Sequence, residues 1–128
     1  MGTYFNPDGE AFRKMIQSEI YVDKTELIQY TNSVLFGEQK YICVSRPRRF
    51  GKTLGMSMLE SFFDIRKNSR KLFEGLEIAR QSELCSKWMN QCPTVSVSFR
   101  QVDGLNFTSA YDMLTMVFAD LYNKHLYL

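Results

Sequence analysis

Residues 40–63 read KYICVSRPRRFGKTLGMSMLESFF, and this stretch decides the fold prediction. Residues 40–45 form a short apolar, β-branched run, which predicts a buried strand. Residues 54–63 place Leu and Met side chains and the two Phe rings on one helical face, which predicts a helix. Between them lies the loop of residues 46–53, RPRRFGKT. A Gly-Lys-Thr loop between a strand and a helix is the context in which phosphate is bound.

The expected chemistry of this loop follows from the negative charge of nucleotide phosphates. A tight turn points backbone N–H groups inward, and the helix N-terminus adds the positive end of its dipole. Gly51 would let the backbone approach a phosphate because it has no Cβ. Lys52 would contact the β- and γ-phosphate oxygens, and the Thr53 hydroxyl would bind Mg²⁺, which prefers oxygen ligands. The loop therefore predicts binding of a nucleoside triphosphate such as ATP, together with Mg²⁺.

The loop departs from the common phosphate-loop pattern at its first position. GxxxxGK[ST] requires a glycine where Arg46 stands. The remaining tripeptide is a weak signal, because on the order of one chain in fifteen of this size contains it by chance. Arg46, Arg48 and Arg49 surround Pro47. Two interpretations of these arginines stay open: they shape the loop or face the phosphate, or they are ordinary surface residues.

Predicted strands and helices alternate on both sides of this stretch. Apolar periodicity predicts helices at residues 10–18, 27–35 and 107–122. The stripe of the last helix is expected to face the core, or to be partly exposed if the strands that follow it are missing. Residues 94–99 (TVSVSF) alternate as a second strand. We therefore predict an α/β fold with a parallel sheet. Because two strands alone make no stable sheet, the sheet is expected to be incomplete.

The composition is that of a globular protein, with 45% hydrophobic and 23% charged residues. A net charge of +2 is too small to favour a nucleic-acid or membrane partner, and no apolar run approaches the roughly 20 residues needed to span a bilayer. Cys43, Cys85 and Cys92 form no CxxC pair, and their odd number disfavours a disulfide framework. We expect a cytoplasmic protein, with Cys43 buried in the first strand.

Four segments together resemble a known family: YVDKTELI (21–28), VSRPRRFGKTLGMSMLESFFD (44–64), LFEGLEIA (72–79) and TVSVSF (94–99). Their order and spacing are similar to those of the predicted AAA-ATPase-like family of bacterial proteins, from about Tyr21 to Leu128. That family has Arg-Pro-Arg-Arg-Phe where other Walker A loops have glycine and variable residues. Arg46 therefore does not count against the resemblance.

The resemblance implies the N-terminal part of a P-loop NTPase with an AAA/STAND-like three-layer fold. Residues 1–20 would be an N-terminal extension, and residues 21–128 the first portion of the ATPase-like domain. It implies that the phosphate is contacted by Arg48, Arg49, Phe50, Gly51, Lys52, Thr53 and Leu54. It also implies that Tyr21, Val22 and Asp23 lie on the adenine side. The alternative for these three is that Tyr21 and Val22 are core residues and Asp23 caps a helix.

The resemblance also implies elements that we do not find in the sequence. Family members place a Walker B strand after this region, and often a PD-(D/E)XK nuclease-like domain, so we expect the chain to be a fragment ending before both. Neither Asp64 nor Asp103 follows four apolar residues, although Asp103 could approach the loop from the second strand instead of beginning a turn. Without the Walker B acids, water activation is missing. We expect ATP binding, no catalytic residue in this chain and negligible ATPase activity.

Two other functions stay open. A truncated, catalytically inactive relative would act as an interaction module, forming a homo-oligomer through its unfinished sheet edge. A weaker hypothesis is a small nucleic-acid-binding domain that uses the basic residues 46–52.

Overall fold

The computed structural model describes residues 10–18, 21–49 and 51–128. Helix accounts for 53% of the structure and strand for 2%. The chain divides into two compact units, Met1–Thr94 and Val95–Leu128. The helices are α1 (Glu10–Ile16), α2 (Glu26–Val34), α3 (Lys52–Phe63), α4 (Arg70–Phe73), a 3₁₀ helix (Glu77–Arg80), α5 (Ser82–Trp88) and α6 (Phe107–Lys124). None of these helices is both long enough and apolar enough to span a bilayer.

The predicted α/β fold with a parallel sheet is wrong for the part of the chain that the structure describes. The residues described there form no sheet, and the pairing of Asp64 with Cys92 is an isolated parallel bridge. Residues 41–45 and 95–99 lack regular secondary structure and are exposed, including Cys43, which we expected to be buried. A strand forms only when a second backbone satisfies its N–H and C=O groups. Apolar alternation identifies a candidate strand, but it does not supply that partner.

The core of the first unit is built around α3. Its buried residues are Phe12, Ile28, Met58, Phe62, Phe63, Phe73 and Ile78. The Phe62 ring lies at the centre, with its centroid 5.0 Å from that of Phe63 and 5.4 Å from that of Phe73. The Phe12 ring of α1 contacts Phe73 at 5.2 Å. The predicted helical stripe of α3 is thus confirmed, because its Met58, Phe62 and Phe63 face the core.

Asn90 satisfies the polar groups at the C-terminal end of α3. Its backbone N–H donates to the carbonyl of Phe62 at 2.7 Å. Its side-chain Nδ2 donates to the carbonyls of Ser61 (3.1 Å) and Asp64 (3.0 Å). Its Oδ1 accepts from the N–H of Ser69 at 2.9 Å. Asn90 has φ +56°, a left-handed conformation that Asn tolerates better than most residues. One side chain therefore joins the end of α3 to the start of α4.

The carboxylate of Asp64 is fully buried at the same end of α3. Its Oδ2 accepts from Arg66 Nη2 at 2.6 Å, and its Oδ1 from Arg66 Nε at 3.0 Å. Burial acts to raise the pKa of Asp64, but the hydrogen bonds and positive charge of Arg66 outweigh it. The pKa of Asp64 therefore lies below its usual value, and the carboxylate stays ionised.

The second unit contains α6 and the segment before it. The side chain of Asn106 caps α6, with Oδ1 accepting from the N–H of Ser109 at 2.9 Å. Just before this cap the chain passes close to the helix, because a Cβ at Gly104 would lie 2.6 Å from the backbone N of Ala110. No residue of α6 is buried. The prediction that the stripe of residues 107–122 faces the core is therefore wrong.

Candidate functional site

The loop before α3 ends in a left-handed glycine. Gly51 has φ +75° and ψ +22° and is the N-cap of α3. Its carbonyl accepts the first helical hydrogen bond, from the N–H of Gly55 at 2.8 Å. The N–H groups of the next three residues therefore have no acceptor within the helix, and Gly51 itself has no side chain to cap them. A Cβ at Gly51 would meet nothing within 4 Å. The requirement for glycine is therefore conformational.

Lys52 lies beside this open helix end. Its side chain is exposed, and its Nζ donates to the carbonyl of Arg46 at 2.5 Å, which closes the loop on itself. Arg48 and Arg49 are exposed as well, and Arg49 has a left-handed backbone with φ +67°. Phe50, the remaining predicted phosphate-loop residue, lies outside the described residues. The described part of the loop thus carries exposed basic side chains just before the uncapped start of α3.

Thr53 and Leu54 occupy the next two positions of α3. Thr53 is exposed, as a hydroxyl that binds a metal ion must be. Leu54 is half-buried and packs against the core. Its side chain anchors the first turn, and the only group it offers a phosphate is its backbone N–H.

The predicted adenine-side residues have different surroundings from one another. The ring of Tyr21 is half-buried, 6.4 Å from that of Phe12, and Val22 is exposed. Asp23 Oδ1 accepts from the backbone N–H (2.8 Å) and hydroxyl (2.7 Å) of Thr25, and Oδ2 accepts from the N–H of Glu77 at 2.7 Å. Burial acts to raise the pKa of Asp23, but these hydrogen bonds outweigh it and the pKa is lowered. The Asp23 carboxylate joins the start of α2 to the 3₁₀ helix.

α2 lies against the first half of α3. A Cβ at Gly55 would be 3.8 Å from Leu27 Cδ2, which is ordinary van der Waals contact. The structure therefore places the helix that follows Tyr21, Val22 and Asp23 beside the helix that follows the loop.

Asp64, one of the two acids considered for the Walker B role, does not join this loop. Asp64 follows the last residue of α3, about 18 Å along the helix from its start, and it is paired with Arg66. Asp103 is exposed and belongs to the second unit.

A surface concavity of about 340 Å³ lies near the C-terminal end of α3, away from the loop. Its lining includes Lys67, Arg70, Cys85, Met89 and Asn90. Sequence reasoning gave no indication of it, because its residues carry no recognised motif.

The sequence profile of one family, described as Predicted AAA-ATPase, matches residues 9–127. The chain belongs to the AAA-ATPase-like family. The match contains all four segments that carry the resemblance, so the predicted family is confirmed, and it begins before Tyr21. Comparisons with curated proteins and with solved structures gave no match. The family match over residues 9–127 thus identifies the chain as an AAA-ATPase-like module.

Sequence reasoning missed one contact in the loop of this AAA-ATPase-like chain. The partner of Lys52 is the backbone carbonyl of Arg46. A backbone acceptor leaves no trace in the residue type at its position, so no sequence signal could have identified it.

Proposed function

We propose that the chain binds a nucleoside triphosphate, ATP with Mg²⁺, through residues 46–53 and the start of α3. The observation that carries this proposal is the left-handed Gly51, which provides no side-chain cap for the first N–H groups of α3, the helix that begins at Lys52. Backbone donors, a helix dipole and a point charge together favour a bound phosphate.

Each residue of the loop has a distinct role in this proposal. The Lys52 ammonium exchanges the Arg46 carbonyl for phosphate oxygens, which are stronger acceptors because they are charged. The Thr53 hydroxyl supplies one oxygen ligand to Mg²⁺, which neutralises phosphate charge. Arg48 and Arg49 add positive charge around the phosphates. Leu54 contributes its N–H while its side chain anchors the helix in the core.

On the adenine side, we propose that Tyr21 and Val22, both of which have exposed surface, contact the adenine ring. Asp23 holds the segment in place through its bonds to Thr25 and Glu77. Tyr21 and Val22 thus take the adenine contact from one sequence interpretation, and Asp23 takes a structural role, as in the other.

The chain is of ATPase type by family, and we propose that it binds ATP without appreciable hydrolysis when alone. Support comes from Asp64, whose carboxylate is committed to Arg66 at the far end of α3. Phosphoryl transfer depends on positioned acids and metal ligands. A loop that supplies only hydrogen-bond donors and one hydroxyl group can hold the nucleotide, but it provides no acid to activate the attacking water.

The test is calorimetric titration of ATP–Mg²⁺ into the wild type, Lys52→Ala and Lys71→Ala. Lys71 is an exposed lysine on α4 and serves as the matched control. Loss of the ammonium should weaken binding roughly tenfold or more, which is about 1.4 kcal/mol, and Lys71→Ala should leave it unchanged. Equal affinities for the wild type and Lys52→Ala would refute the proposal.

Thr53→Ala separates the metal from the phosphate contacts. Its affinity should fall below that of the wild type when Mg²⁺ is present and match it when Mg²⁺ is removed by a chelator. A loss of the same size under both conditions would contradict the role given to the hydroxyl.

A further inference from the structure

Helix α6 carries a row of exposed aromatic side chains. Phe107, Tyr111, Phe118 and Tyr122 are 82%, 57%, 41% and 76% exposed. At about 3.6 residues per turn they fall within an arc of about 60° around the helix. We call these four residues the aromatic stripe. The stripe belongs to the large apolar side chains that are exposed in the described part of the chain.

The area of the stripe reaches what a specific interface needs. A fully buried Phe or Tyr side chain removes about 150–250 Å² from water. At the observed exposures the stripe offers about 500 Å² per copy, or about 1,000 Å² from two copies. About 1,000 Å² is the lower bound for a specific protein–protein interface. A patch of about 500 Å² has the size of the largest apolar patch on a typical monomer, which is often functional.

The arc of the stripe contains no charged residue. Leu114 and Thr115 flank it, about 20° beyond either edge, whereas Asp112, Asp120 and Lys124 lie farther away around the helix. A surface without charge does not repel an identical surface. It also offers no charge that would select a partner of opposite sign. These properties favour a second copy of this chain as the occupant.

Antiparallel packing makes the stripe complementary to itself. With the crossing point between Leu114 and Thr115, Phe107 lies opposite Tyr122 of the second copy, and Tyr111 lies opposite Phe118 of the second copy. This is an isologous, twofold arrangement, and it also places the two helix dipoles in opposite directions. We propose that two copies of the chain form a dimer by antiparallel packing of their α6 helices across the aromatic stripe.

The first experiment is sedimentation equilibrium of the full chain over a wide range of concentrations. The wild type should show a reversible monomer–dimer equilibrium in the weak range that a small interface allows. Tyr122→Glu buries a charge in the stripe and should weaken dimerisation by roughly tenfold or more. Met116→Glu is the matched control, since Met116 is 67% exposed but lies on the opposite face of α6, and its dimer should be unchanged.

The second experiment tests the antiparallel register. Phe107→Lys alone should weaken the dimer, whereas Phe107→Lys combined with Tyr122→Glu should recover most of the affinity. In the antiparallel arrangement each new ammonium group lies opposite the new carboxylate of the other copy. Positions 107 and 122 are too far apart on one helix to pair within a single copy.

Four results would overturn the proposal: a monomeric wild type at every concentration, polydisperse aggregates, an equal effect of Met116→Glu, or no recovery in the double variant. Circular dichroism establishes that each variant keeps its helix. If Tyr122→Glu loses helix, Tyr122→Ser takes its place, with a smaller weakening expected and the same control.

Discussion

The backbone groups that lack partners within α3 have protein partners at one end of the helix and no side-chain cap at the other. At the C-terminal end, Asn90 and Cys92 donate to the carbonyls of Ser61, Phe62, Phe63 and Asp64. At the N-terminal end, Gly51 provides no capping side chain, and the first residues of the helix are exposed. One end is sealed by the protein, and the other is open to solvent.

This difference separates a structural role at one end of the helix from the proposed binding role at the other. A buried helix end must be capped, because an unpaired polar group away from water costs about 1–3 kcal/mol. An exposed end loses little, since water satisfies its N–H groups. In the function proposed above, a phosphate group takes the place of that water at the open end. Three substitutions test this comparison.

The largest effect is expected at the sealed end. Asn90→Ala removes three side-chain hydrogen bonds and forces alanine into a left-handed conformation, so the free energy of unfolding should fall by about 3 kcal/mol. Urea denaturation measures this. Asn90→Gly is the control, because it loses the same bonds but tolerates the backbone, and it should recover about 1 kcal/mol. A change below about 0.5 kcal/mol for Asn90→Ala would mean that the seal contributes little.

The next effect depends on pH and on Asp64. Asp64→Asn should lower the free energy of unfolding by about 2 kcal/mol at neutral pH, because a buried charge-assisted pair with Arg66 is lost. The pKa of Asp64 is lowered in the folded state, so its stabilising contribution is complete above the unfolded pKa of about 3.9 and is lost as pH falls below it. The gap between wild type and variant should therefore narrow as the pH is lowered through this range. A gap that is independent of pH would contradict the assigned ionisation.

The smallest effect on stability is expected at the open end. Gly51→Ala places a Cβ in a left-handed conformation, and the free energy of unfolding should fall by about 1 kcal/mol. Gly37→Ala is the control, because Gly37 is exposed and does not have positive φ. ATP affinity should fall in Gly51→Ala and stay constant in Gly37→Ala. If ATP affinity were unchanged in both variants, the left-handed conformation of Gly51 would not be needed for ATP binding.

The sequence predicted the helices better than the strands for a physical reason. A helix satisfies its own backbone, so the spacing of Met58 and Phe62 was enough to identify the buried face of α3. The predicted strands at residues 40–45 and 94–99 needed partners that periodicity does not specify. The same limit applies to α6, whose spacing predicted one apolar face but not whether anything covers that face.

The sequence motif named the residues of the candidate site but not the contacts that those residues make. Gly51, Lys52 and Thr53 follow from the motif and from the helix after it. Asn90 carried no signal beyond the tolerance of Asn for positive φ, and its partners lie 21 to 29 residues away. Asp64 was considered only as a possible Walker B acid, because its pairing with Arg66 depends on burial that a pattern does not show.

The contact between Lys52 Nζ and the Arg46 carbonyl has a consequence for the phosphate binding that we propose. A free lysine side chain loses up to about 2 kcal/mol of rotational freedom when it is fixed. Here much of that loss precedes ligand arrival, so the ammonium only exchanges one acceptor for another over a short distance. In the proposed function, the lysine side chain should therefore need little rearrangement when a phosphate binds.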